Sequence, residues 1–158
     1  MKKLLMIAFM ALMSTTMFAQ AGSTWVGANV NYGLHSDYKN LGFGAKVQWE
    51  FIDNVRAEAS GNYFLKKDYC TMWDLNLNLH YLVSVDKLKI YPLAGLTILD
   101  SKVEVGHVSA SDSNFGINLG AGVEYPISET VKLNLEGKYQ IVKDWNRPVI
   151  SAGIAFAL

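Results

Sequence analysis

The chain has 158 residues, 51% hydrophobic and 18% charged, with 14 basic and 14 acidic side chains and a single cysteine. That length suits one domain, the apolar content excludes a disordered chain, and one Cys excludes a disulfide framework or a cysteine-based zinc site. Balanced charge gives no footprint for nucleic acid, and no apolar run reaches the roughly 18 residues of a spanning helix.

Residues 1–21 read as a cleaved signal peptide. Lys2 and Lys3 precede an apolar stretch from Leu4 to Met13, then Ser14, Thr15 and Thr16, then the small-residue sequence Ala19-Gln20-Ala21. No acidic residue occurs before Asp37, and cleavage is expected after Ala19 or Ala21. No Cys lies near that junction to carry a lipid anchor. Residues 22–158 are left as one domain, with 12 basic residues against 14 acidic once Lys2 and Lys3 are removed.

From Trp25 onward the hydrophobic pattern has period two, which predicts strands in eight runs. The first, 25–34, puts Val26, Ala28, Val30, Tyr32 and Leu34 on one face. The second, 41–51, sets Leu41, Phe43, Ala45, Val47, Trp49 and Phe51 against Lys46, Gln48 and Glu50. The third, 55–65, sets Val55, Ala57, Ala59, Tyr63 and Leu65 against Arg56, Glu58, Ser60, Asn62 and Phe64. In the fourth, Trp73, Leu75, Leu77, Leu79 and Tyr81 oppose Asp74, Asn76, Asn78 and His80. The fifth places Leu88, Ile90, Ala94, Leu96 and Ile98 together with Lys89 opposite, but Pro92 lacks a ladder donor, so a bulge or phase error is expected there. The sixth opposes Phe115, Ile117, Leu119, Ala121, Val123 and Tyr125 to Asn118 and Glu124. The seventh opposes Val131, Leu133, Leu135, Tyr139 and Ile141 to Lys132, Asn134, Glu136, Lys138 and Gln140, and the eighth aligns Ile150, Ala152, Ile154, Phe156 and Leu158.

Connections at 52–54, 83–87 and 126–130 are short, and those at 35–40, 66–72, 99–114 and 143–148 are expected to be longer loops. Such alternation predicts an all-β, eight-stranded antiparallel up-and-down transmembrane β-barrel. The orientation of its faces separates a membrane barrel from a soluble ligand-binding barrel, and two features point to lipid outside. All charge falls on one face: Lys46, Arg56, Lys89, Lys132 and Lys138 against Glu50, Glu58, Asp74, Glu124 and Glu136, a self-neutralising set that suits a narrow lumen. The apolar face is aromatic at its ends, with Tyr32, Phe43, Tyr63, Trp73, Phe115 and Tyr139 toward the long-loop rim and Phe51, Tyr81, Tyr125 and Phe156 toward the other. Two aromatic girdles mark the membrane interfaces.

In these features the chain resembles the small outer-membrane β-barrel proteins of Gram-negative bacteria, of the OmpA-barrel, OmpX and opacity-protein type. The end, Ser151-Ala152-Gly153-Ile154-Ala155-Phe156-Ala157-Leu158, is similar to that family's signal for the barrel-assembly machinery, carried by Ser151, Gly153, Phe156 and Leu158; many members end in Phe where Leu158 stands. Tyr91-Pro92-Leu93-Ala94-Gly95 resembles a Tyr/Pro/Gly-rich strand common in such barrels. The resemblance implies export to the bacterial outer membrane, contact with outer-membrane lipids and lipopolysaccharide, transient contact with the assembly machinery, a monomer, and no cofactor.

Few residues suggest chemistry. His80 falls on the inward phase and is expected to hydrogen-bond lumen carboxylates rather than hold a metal, since no second His is placed beside it. His35-Ser36-Asp37 needs partners from elsewhere to form a triad. His107-Val108-Ser109, with Glu104 or Asp112 as orienting acids, is similar to an arrangement in lipid A deacylase barrels, yet Ser101–Ser113 reads as a solvated loop. Cys70 is expected to be an unpaired loop residue, and Trp145 with Arg147 to touch lipopolysaccharide headgroups or anchor at the interface. The leading reading is a non-enzymatic barrel with a plugged polar lumen and a structural or surface role; the alternative is a lipid A-modifying hydrolase using loop His and Ser groups.

Overall fold

Alternating side chains make every run half apolar, and an antiparallel sheet that closes on itself leaves no unpaired edge. The computed structural model describes residues 22–35 and 39–158; the signal segment 1–21 and Ser36 and Asp37 lie outside them. The strands are β1 (Thr24–Leu34), β2 (Lys39–Ile52), β3 (Val55–Lys67), β4 (Cys70–Tyr81), β5 (Val83–Val85), β6 (Leu88–Val105), β7 (Val108–Pro126), β8 (Val131–Val142) and β9 (Arg147–Ala157). Each pairs antiparallel with its neighbour in sequence except β4 and β5, which both pair with β6, and β1 pairs with β9. The sheet is therefore a closed barrel.

Nine segments make eight barrel strands because β4 and β5 are one strand interrupted at Leu82. His80 pairs with Leu93 and Val83 with Ile90, so one register runs across the gap and sets Tyr81 opposite Pro92. Pro92 has no N–H to give that ladder. The orphaned stretch is rescued by Leu82, whose N–H donates to the Asn54 carbonyl at 2.7 Å. The expected phase error is not there: Pro92 lies on the outward face, and β6 pairs with β7 without a break from Lys89↔Glu124 to Val105↔Val108.

Two expected loops are hairpins instead. Residues 99–114 continue β6 and β7 to a two-residue turn at Gly106-His107, where Gly106 has φ +63°, the geometry in which a primed turn follows the strand twist. The Ser/Gly/Asp composition concealed this, because a hairpin beyond the barrel needs no apolar face and relies on β-branched Val103, Val105 and Val108. Residues 66–72 likewise hold a two-residue turn, Asp68-Tyr69, with both φ positive at 48° and 66°. One rim carries the ends of β1 and β9 and the turns at 53–54, 86–87 and 127–130; the opposite rim carries those at 68–69, 106–107 and 143–146.

Candidate functional site

The distinctive surface of this molecule is its interior. Among the described residues 24 buried side chains are polar or charged and ten are apolar, while 35 large hydrophobic side chains are exposed. A soluble fold would show the opposite partition.

The interior is layered. Nearest the rim of the chain ends, Arg56 on β3 reaches Glu124 on β7 at 2.7 Å and Glu50 on β2 at 3.8 Å, and Lys132 on β8 reaches the same carboxylates at 3.3 and 3.9 Å. Lys132 also lies 4.1 Å from the Trp25 ring centroid. One step inward, Lys46 is 3.9 Å from Glu58 and donates to Asn134 at 2.8 Å, Gln48 donates to Glu58 at 2.7 Å, and Lys138 is 3.8 Å from Glu136. Tyr91 joins the two tiers. Its hydroxyl donates to Glu136 at 3.1 Å, its ring stacks on His80 at 4.6 Å, and the Arg56 guanidinium lies over the same ring, 4.9 Å from its centroid. Gly122 stands opposite Tyr91, and a Cβ there would fall 2.4 Å from the phenol ring, so the bulky residue fits because its partner has no side chain.

Mid-barrel is an amide layer centred on Asp74. That carboxylate accepts from Asn62 at 2.6 Å, Asn76 at 2.7 Å, Gln140 at 3.2 Å and the Arg147 guanidinium at 3.1 Å. Asn118 donates to Asn76 and Asn78, both at 2.9 Å, and Asn29 and Asn31 on β1 reach Asn62 on β3 over Gly44 of the intervening β2. Toward the turn-106 rim, Phe64, Cys70, Met72, Leu99 and Val142 form an apolar cluster with Trp145 packed on it. Arg147 bridges the layers: it donates to the Gln140 side-chain carbonyl at 2.8 Å and lies 4.2 Å from the Phe64 ring centroid.

Of the ten expected lumen charges, Lys46, Glu50, Arg56, Glu58, Glu124, Lys132, Glu136 and Lys138 lie within these two ionic tiers, while Asp74 belongs to the amide layer. Lys89 is half-buried and makes no ion pair among the described residues. Arg147, read from sequence as a loop residue, is 1% exposed inside the barrel. The signal was its position: β9 begins at Arg147, three residues before the smooth apolar alternation, and Arg147 has the same parity as the inward Val149 and Ser151. Of the girdle residues, Phe43, Tyr63 and Trp73 stand side by side across β2, β3 and β4, and Tyr32, Tyr81, Phe115, Tyr125, Tyr139 and Phe156 are exposed. Phe51 is only half-buried, at the register shift between Glu50 and Ile52, where it packs 5.4 Å from the Trp49 ring.

At the barrel end, Ser151 is buried and donates to Asn31, while Phe156 points outward between Val26 and Val131. His107 occupies the hairpin turn and Ser109 pairs with Glu104 across the ladder. Both are exposed, and neither makes a side-chain hydrogen bond among the described residues. Glu104 instead meets Lys102 at 2.7 Å and Lys66 at 3.4 Å. Cys70 is buried in the apolar cluster rather than in a loop.

The profile of the outer membrane protein beta-barrel domain matches residues 6–155. The chain belongs to that family. Solved outer-membrane barrels share its fold: the N-terminal barrel domain of OprF from Pseudomonas aeruginosa and Neisserial surface protein A each superpose with TM-score 0.70 at 16% identity, covering 87% of this chain and 99% or 97% of theirs. The attachment invasion locus protein Ail of Yersinia pestis gives TM-score 0.64 at 16% identity, over 87% of this chain and 97% of that one. No curated protein matches the chain. Within this outer-membrane barrel family, the layered interior and the apolar exterior are the features a function must use.

Proposed function

We propose that this chain is an integral protein of the bacterial outer membrane, exported by residues 1–21, whose lumen is plugged by its own side chains and whose role is structural or surface-related rather than enzymatic. The observation that carries this reading is the inverted partition: ion pairs and amides are buried inside the barrel while exposed aliphatic side chains line its outer wall. Lipid is the solvent in which that wall costs least. A lumen crossed by Arg56–Glu124, the Asp74 amide cluster and the Phe64/Met72 layer leaves no continuous wide path, in keeping with the narrow interior of eight strands. Outer-membrane lipids and lipopolysaccharide are its surroundings, the barrel-assembly machinery reads Ser151, Gly153, Phe156 and Leu158 during insertion, and the mature protein is a monomer without cofactor.

The test is expression with the native leader. The protein should sediment with outer membranes and migrate faster on gels unheated than boiled. Recovery as a soluble periplasmic monomer without detergent would contradict the reading, and loss of a lipid A acyl chain that depends on Ser109 would assign an enzyme.

A further inference from the structure

Glu58 from β3, His80 from β4 and Glu136 from β8 converge inside the barrel. Each offers a ligand-capable atom, these atoms all lie within 4.8 Å of one another, and all three residues are buried. The imidazole Nε2 points at Glu58 Oε1 from 3.9 Å, too far for a hydrogen bond, and has no other partner among the described residues although His80 is 1% exposed. A buried ring nitrogen without a partner calls for a ligand.

The other ring nitrogen decides which ligand. Nδ1 faces the Arg56 guanidinium, with Nε at 3.2 Å and Nη2 at 3.0 Å. Arginine only donates, so Nδ1 accepts and a neutral imidazole carries its proton on Nε2. A divalent cation at Nε2 would require that proton to move to Nδ1, straight against the guanidinium. Metal-bound histidines instead point the second nitrogen at a carboxylate or carbonyl. The two carboxylates are also flanked by ammonium groups, Lys46 at 3.9 Å from Glu58 and Lys138 at 3.8 Å from Glu136, which oppose a further positive charge.

We propose that this trio is the binding site of one ordered internal water, which accepts the Nε2 proton of His80 and donates to Glu58 and Glu136. Three atoms no more than 4.8 Å apart have a common centre at most about 2.8 Å from each, the length of a water hydrogen bond. Three polar partners are what a buried water takes. The consequence is connectivity. Through Nδ1, His80 is tied to the tier of Arg56, Glu124, Glu50 and Lys132; through the water, Nε2 is tied to the tier of Lys46, Glu58, Glu136 and Lys138. One imidazole on β4 with a fixed tautomer thus joins two ionic tiers contributed by β2, β3, β7 and β8. The site is interior, so the inference stands whatever surrounds the outer wall.

The experiment is nitrogen-15 and proton NMR of the whole folded barrel in detergent micelles with labelled histidine, titrated with zinc chloride. The expected result is a directly bonded proton on Nε2 of His80, Nδ1 with the downfield shift of an unprotonated ring nitrogen, a cross-peak from the Nε2 proton to a long-lived water, and no response to zinc. A proton on Nδ1, an Nε2 proton without a water cross-peak, or saturable zinc shifts at His80 would each overturn the site as described.

Discussion

Asp74 ties four strands together, since four donors from β3, β4, β8 and β9 converge on one carboxylate. Deleting it removes the carboxylate that the Arg147 guanidinium, 1% exposed, meets at 3.1 Å. Breaking a buried pair in this way typically costs about 3 to 5 kcal/mol. Asp74→Ala should therefore lower the denaturation midpoint of the detergent-folded barrel strongly, whereas Lys143→Ala, on the exposed surface, should leave it within experimental scatter. Shape is equally local. Gly122→Val should displace Tyr91 from Glu136 and destabilise the barrel, while Gly137→Ala, whose new methyl meets nothing within 4 Å, should be neutral in the same assay. The charges on alternating positions were legible in the sequence because parity alone assigns a face. Their partners were not: Asp74 lies 73 residues from Arg147, and only barrel closure brings β4 and β9 onto one lumen.

At the scale of elements, hydrophobic alternation located the strands and turn chemistry determined where they end. Period two carries no information once both faces meet water, which is why residues 99–114 read as a loop although Val103, Val105 and Val108 continue the ladder. Pro92 shows the reverse case: its missing donor interrupts the neighbouring strand at Leu82 rather than its own. The hairpin tip beyond the barrel is held partly by charge. The hydrogen bond from Lys102, reinforced by Lys66, keeps the Glu104 carboxyl below its ordinary range. A lowered folded pKa stabilises above the unfolded value, and that contribution is lost as pH falls through the folded one. Amide protection factors at the tip, which remove the intrinsic slowing of exchange in acid, should fall as pH falls, with Glu104→Gln removing that response while the barrel strands stay protected. The effect should be small, because both partners are about half exposed.

The whole molecule is a barrel whose faces are exchanged relative to a soluble one. Strand order, closure into eight and the direction of each face were readable from residue parity, since a one-residue slip would move every charge to the outer wall. The layering of the lumen was not, because it depends on the relative height of side chains on non-adjacent strands. The proposed plugging of the lumen predicts electrical silence: reconstituted in planar bilayers, the protein should show no large steady conductance, and a stable wide channel would mean that the Arg56–Glu124 tier and the Phe64 layer do not close the path.

The most direct test of the apolar-outside, polar-inside arrangement places spin labels singly at Leu77, Ile117 and Leu135, all exposed on the outer wall. In lipid bilayers, and with Cys70→Ser as background, labels at these positions should collide readily with oxygen dissolved in lipid and scarcely with a water-soluble nickel complex. The reverse pattern, nickel reaching all three while oxygen does not, would contradict a barrel that turns its apolar face to the membrane.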